Sequence, residues 1–234
     1  MGFPVKLELI ILGFALMLLC SFFVTVFLKS FYHKRFKNAI LFKGLSSLCF
    51  VALGAAILLL DGFSWIRLMI LIGLCFGVLG DEILALCQIY PKSDLKHFLG
   101  GGVFFVVGHV FYVASIIFIG GPNIIALPIA FALACVISLL YENKKKFFVG
   151  EMKNSLKLYI GIVIFFAAMG IATFLKHGTL ATACMALGGI LFTVSDNILF
   201  AFKFSSRPRY RQNVALHIAY YLAQFALAFS ILFI

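Results

Sequence analysis

Charge is what this sequence has least of. Only 12% of its 234 residues are charged, and just 8 are acidic. A soluble domain carries about a quarter charged residues. With 64% hydrophobic residues, the chain has too little polar surface for a water-soluble fold, so it reads as a polytopic membrane protein. Proline is scarce as well, with 5 in the chain, which leaves long helices uninterrupted. Cysteine occurs 6 times, at Cys20, Cys49, Cys75, Cys87, Cys135 and Cys184. All lie in apolar runs and none forms a CxxC pair, which argues against a disulfide or zinc framework. The chain has no GxSxG, no Walker A loop and no HExxH. No metal or other cofactor is expected. The net charge of +11 does not indicate a nucleic-acid partner, because the basic residues sit in short loops between apolar runs.

Those runs define eight spans, near 7–28, 39–60, 65–87, 98–119, 122–141, 157–175, 178–202 and 213–234. Each is close to the ~20 residues a helix needs to cross the hydrocarbon core. No strand alternation supports a barrel, so the spans are helices. The predicted fold is all-α, a single transmembrane domain over residues 1–234, with a kink at Pro128 in the fifth span. The first span follows Lys6 and ends without a small-x-small cleavage pattern, so it reads as a helix and not a signal peptide.

Orientation follows from lysine and arginine placement. Loops after spans one, three, five and seven hold Lys29, Lys34, Arg35, Lys37; Lys92, Lys96; Lys144, Lys145, Lys146, Lys153, Lys157; and Lys203, Arg207, Arg209, Arg211. The opposite side holds only Lys6, Arg67 and Lys176. The bias predicts cytoplasmic odd-numbered loops and both termini outside. The basic loops also suit contact with anionic membrane lipids.

Against this apolar background two segments stand out. Leu79-Gly80-Asp81-Glu82-Ile83-Leu84 carries carboxylates inside span three, and Val194-Ser195-Asp196-Asn197-Ile198-Leu199 partly repeats the pattern in span seven. A charge at membrane depth costs roughly 2.5–3.5 kcal/mol on insertion scales and marks a functional candidate. Spans three and seven run in one direction, and both aspartates fall roughly 10 Å from the cytoplasmic end. Two aspartates at one depth can share one cavity. Gly73, Gly77 and Asp81 follow one helical stripe, as do Gly189, Phe192 or Thr193, and Asp196, so each aspartate is expected to face a neighbouring helix. His109-Val110-Phe111-Tyr112 in span four is echoed by Ile218-Ala219-Tyr220-Tyr221 in span eight. The spacing is compatible with two parallel four-helix halves, an arrangement that places sites at the repeat interface.

Asp81 and Asp196 are therefore the candidate catalytic pair. Glu82 points about 100° away from Asp81 and is assigned support, or pairing with a loop lysine. Ser195 and Asn197, which flank Asp196, are assigned support too. His109, Tyr112, Tyr221 and Gln224 are candidate substrate-binding groups that would serve equally as interhelical hydrogen bonders. Lys43, a few residues into span two, is expected either to snorkel to the interface or to meet an anionic headgroup as a point charge. An intramembrane aspartyl protease needs Gly-x-Gly-Asp and Tyr-Asp. This chain has Val78-Leu79-Gly80-Asp81, and Ser195 precedes Asp196.

Taken in order, these motifs resemble the YhhN-type membrane proteins, the lysoplasmalogenase family. The resemblance rests on Phe42-Lys43, Leu79-Gly80-Asp81, Gly101 with Phe105, His109 and Tyr112, the run Gly189 to Asp196, and Tyr220-Tyr221-Leu222-Ala223-Gln224. Gly44 stands where the pattern usually has proline, and Asn197 where a small polar residue is common. The resemblance implies a hydrolase that cleaves the vinyl ether of lysoplasmalogens to a fatty aldehyde and glycerophosphocholine or glycerophosphoethanolamine, with Asp81 and Asp196 catalytic. Such a reaction needs one carboxylic acid to protonate carbon and one carboxylate to stabilise the cation and activate water. A bacterial inner membrane and a site opening towards the cytoplasmic leaflet are expected. Buried aspartates would also fit a proton-coupled transporter of a small solute or lipid, or a lipid-sensing scaffold.

Overall fold

A computed structural model describes residues 3–87, 89–142, 153–205 and 209–234. Lys144, Lys145, Lys146 and Arg207, which contribute to the charge bias above, lie outside the described residues. Among the described residues the regular structure is helical. The helices are α1 (Phe3–Tyr32), α2 (Phe36–Leu60), α3 (Trp65–Leu86), α4 (Asp94–Gly120), α5 (Ala126–Glu142), α6 (Lys153–His177), α7 (Leu180–Lys203) and α8 (Tyr210–Leu232), with a short 3-10 turn at Pro91–Ser93. In a helix every backbone group is satisfied within the segment, which the hydrocarbon core demands. Among the described residues, seven helices are long and apolar enough to cross a membrane.

The exception is α5, and its cause is local. Gly121 has φ +81 and ends α4, while the Asn123 side chain accepts hydrogen bonds from the amides of Ile125 at 3.1 Å and Ala126 at 3.3 Å. That turn delays the helix start to Ala126, leaving 17 residues. Pro128 then falls in the first turn, where its missing N–H and fixed φ cost nothing. The kink expected at Pro128 is therefore replaced by a helix start.

The chain divides into two compact units, Met1–Ser115 with Leu227–Ile234, and Ile116–Ala226. In the first, α1 and α2 run antiparallel, with Phe31 against Phe36 and Phe23 against Phe42. Next, α2 meets α3, with Gly54 packed on Leu71 and Leu74. The turn joining them is closed by Arg67, which pairs with the Asp61 carboxylate at 2.6 Å and donates to the carbonyls of Asp61 and Gly62. The end of α8 returns to this unit and lays Ile231 on Gly54. Glycines bring α3 and α4 together. A Cβ on Gly101 would lie 3.0 Å from the Gly80 carbonyl oxygen, and one on Gly108 would lie 3.1 Å from that of Gly73.

In the second unit α6 and α7 pack antiparallel through Gly170 against Ala186 and Gly189 against Ala167. Thr179 caps α7 with a reciprocal capping box to Thr182, satisfying two orphan donors at the helix start. α8 lies against α7, with the Phe192 and Tyr220 rings edge to face. Burial differs sharply along the chain. Within the apolar window of α8, 72% is buried, against 17% for α1, so α8 is a core helix and α1 offers most of its surface to lipid. The six cysteines form no disulfide.

Candidate active site

Each unit buries one of the two aspartates. In the first, Asp81 sits five residues before the end of α3, about 8 Å along the axis. It faces α2. Lys43 Nζ lies 3.1 Å from Asp81 Oδ1 and donates to the Asp81 carbonyl at 3.0 Å. Ser47 Oγ donates to Asp81 Oδ2 at 2.6 Å. Lys43 and Ser47 are one turn apart, so both present to the same strip of α3, and both carboxylate oxygens receive a donor. All three side chains are buried.

Lys43 is 6% exposed, and its ammonium is turned to Asp81 instead of curling out along its own helix. A buried ammonium is tolerated only when paired, and Asp81 lies at the matching height on the adjacent helix. The expected stripe is also refined. Gly73 and Gly80 face α4, beneath the rings of Tyr112 and Phe105, while Asp81 faces α2. Eight residues advance the helix by 800°, which leaves Asp81 about 80° from Gly73.

Glu82 turns away from Asp81 as its position requires, and its carboxylate lies over Gly44. A Cβ at Gly44 would sit 2.8 Å from Glu82 Oε1. The glycine that departs from the YhhN-type pattern thus provides the seat for this side chain. No ion pair to a loop lysine forms among the described residues. Instead Glu82 Oε1 is buried without a hydrogen-bond partner there.

His109 and Tyr112 belong to the same unit and are fully enclosed. His109 Nδ1 lies 2.7 Å from the Phe105 carbonyl. A carbonyl only accepts, so Nδ1 carries the hydrogen. The imidazole meets the Tyr112 ring edge-on at 6.0 Å. Tyr112 fills the space above Gly73, two turns of α3 from Asp81, or about 12 Å. The structure therefore gives Tyr112 a packing role between α3 and α4.

In the second unit Asp196 is buried on α7, seven residues before the helix end. Tyr159 of α6 donates its phenol hydrogen to Asp196 Oδ2 at 2.8 Å, and its ring is held edge-on by Phe200 at 5.6 Å. Ser195 turns the other way and donates to the Leu216 carbonyl of α8 at 3.0 Å, clipping the two helices together. Asn197 donates to the Thr193 carbonyl within its own helix at 2.8 Å. Gln224 Nε2 donates to Tyr220 Oη at 2.9 Å. The Tyr221 ring lies between Tyr220 and His217. Among the described residues no group of three or more His, Cys, Asp or Glu side chains could hold a metal ion.

Three residues in these clusters escaped the sequence reading. Ser47 carried a signal, its one-turn spacing from Lys43. Tyr159 was a polar residue entering an otherwise apolar helix. His217 is buried in α8, with Nδ1 2.7 Å from the Asn213 carbonyl. No curated protein sequence and no solved structure matches the chain. The YhhN family model matches residues 38–231, which run from α2 to α8, and the protein belongs to that family.

Proposed function

We propose that the protein is a membrane hydrolase that cleaves the vinyl ether bond of 1-alkenyl-glycerophosphocholine or 1-alkenyl-glycerophosphoethanolamine. Family membership supports the substrate class. The observation that carries the chemistry is the pair of buried aspartates, each held by a hydroxyl donor from a neighbouring helix. The reaction adds water across the vinyl ether. A proton goes to the carbon β to oxygen, water adds to the resulting oxocarbenium carbon, and the hemiacetal collapses to a fatty aldehyde and the glycerophosphodiester. Asp81, ion-paired to Lys43, suits the anionic role that stabilises the cation and orients water. Asp196 suits the acid role, because the Tyr159 hydroxyl can donate to a carboxylate or accept from a carboxylic acid. Lysine and arginine placement supports termini outside the membrane and access from the cytoplasmic leaflet, in a bacterial inner membrane.

The test is aldehyde release from 1-alkenyl-glycerophosphoethanolamine by purified protein. Turnover is expected, with Asp81→Asn and Asp196→Asn each slowing it by at least about 100-fold. In ¹⁸O water the glycerol product should stay unlabelled, because the broken bond is on the vinyl carbon side. A folded sample with no turnover sinks the reading. Proton-driven flux in proteoliposomes, with the lipid recovered intact, would identify a transporter instead.

A further inference from the structure

We propose that Glu82 reads the lipid headgroup, taking the primary ammonium of an ethanolamine lipid in preference to the quaternary ammonium of its choline analogue. The inference rests on the lysolipid reading of this site and adds a choice between its two candidate substrates.

A lysine near the end of a span ordinarily points to phosphate recognition. Here Lys43 is committed to Asp81, through its carboxylate at 3.1 Å and its carbonyl at 3.0 Å. The ammonium nearest Glu82 is therefore spent on its neighbour, and a carboxylate in an apolar segment is stabilised by a cationic donor. Glu82 is placed to meet one. The residue as a whole is only part-buried. Its Oε1 is nonetheless buried, with no donor among the described residues. The seat is specific, since a Cβ on Gly44 would stand 2.8 Å from Oε1 and 3.4 Å from Cδ, and any larger residue would displace the carboxylate. A primary ammonium brings three N–H donors, whereas a trimethylammonium brings none. Glu82 can form charge-assisted hydrogen bonds with the first and has only charge attraction for the second.

The experiment uses full-length protein in detergent and saturated 1-alkyl-glycerophospholipids, which lack the vinyl ether and cannot turn over. Wild type should bind the ethanolamine lipid about tenfold more tightly than the choline lipid, the equivalent of about 1.4 kcal/mol. Glu82→Gln should bring that ratio to about one by weakening ethanolamine binding far more than choline binding. Gly44→Ala keeps the carboxylate but crowds its seat, and should shrink the ratio as well. Equal affinities in wild type overturn the inference. So does a Glu82→Gln protein that keeps the ratio, or one that loses both lipids equally. Failure of vinyl ether hydrolysis would instead count against the proposed reaction, and it leaves this binding ratio readable.

Discussion

Replacing Lys43 with methionine keeps the length of the side chain and removes its charge, so it isolates the contribution of the buried ion pair. The two side chains are 8% and 4% exposed, and their charged atoms are 3.1 Å apart. At an effective dielectric of about 20, the attraction over that distance is about 5 kcal/mol. Desolvation of both groups offsets much of it, so the intact pair contributes little net stability. Breaking it is different, because Asp81 is then left as an uncompensated buried charge, at a cost of about 3–5 kcal/mol. For a chain of this size that corresponds to a fall in melting temperature of about 6–20 °C. The assay is thermal unfolding in detergent of Lys43→Met, Asp81→Asn and the double variant. Lys43→Met should be strongly destabilised, and Asp81→Asn in the same chain should restore much of the loss, because it removes the orphaned charge. Effects that add to within about 0.5 kcal/mol would show two independent sites and refute the pairing. A Lys43→Met protein as stable as wild type would return Lys43 to the interface.

Two further substitutions probe the second unit and its packing. Tyr159→Phe removes the donor to Asp196 while the ring keeps its place against Phe200. Aldehyde release should fall about tenfold in kcat, with little change in KM, and a wild-type kcat would take Tyr159 out of the mechanism. Gly189→Ala should destabilise by about 1–3 kcal/mol in thermal unfolding, since the new Cβ would lie 2.8 Å from the Ala167 Cα and α6 must move as a body. Gly100→Ala is the contrast. Its Cβ meets only Ile83 Cγ2 at 3.4 Å, so the gain in helix propensity should stabilise the protein by up to about 1 kcal/mol.

The helices were legible because hydropathy is a local property. Spans three and seven, read as 65–87 and 178–202, differ from α3 and α7 by no more than two residues at any end. Asp81 and Asp196 were legible for the same reason, as charges where the window allows few. The fifth span was drawn too long because two residues, Pro122 and Asn123, are too few to break a hydropathy window, although Asn123 sets the helix start through its side chain. Partners were not legible. Lys43 meets a residue 38 positions away, Ser47 one 34 away and Tyr159 one 37 away. Such pairs depend on the register of one helix against the next, which is set by small residues along the whole interface. A lysine about one turn into a span reads identically whether it curls to the interface or crosses to a neighbour.

The same point changes the meaning of the sequence echo between the aspartates. Gly80-Asp81 and Ser195-Asp196 look like two copies of one device, yet their surroundings differ. The residue before Asp81 has no side chain, and its absence lets Phe105 lie flat on α3. The residue before Asp196 spends its hydroxyl on α8. An ammonium holds Asp81 on one oxygen and a serine on the other, which suits a charge that stays constant through a reaction. The phenol at Asp196 can reverse its hydrogen bond, which suits a group that gives up and regains a proton at every turnover. A vinyl ether needs both functions, a proton for carbon and a lasting negative charge for the cation that follows. Unequal partners are what the proposed acid–base reaction would use, one aspartate kept anionic and the other free to exchange a proton.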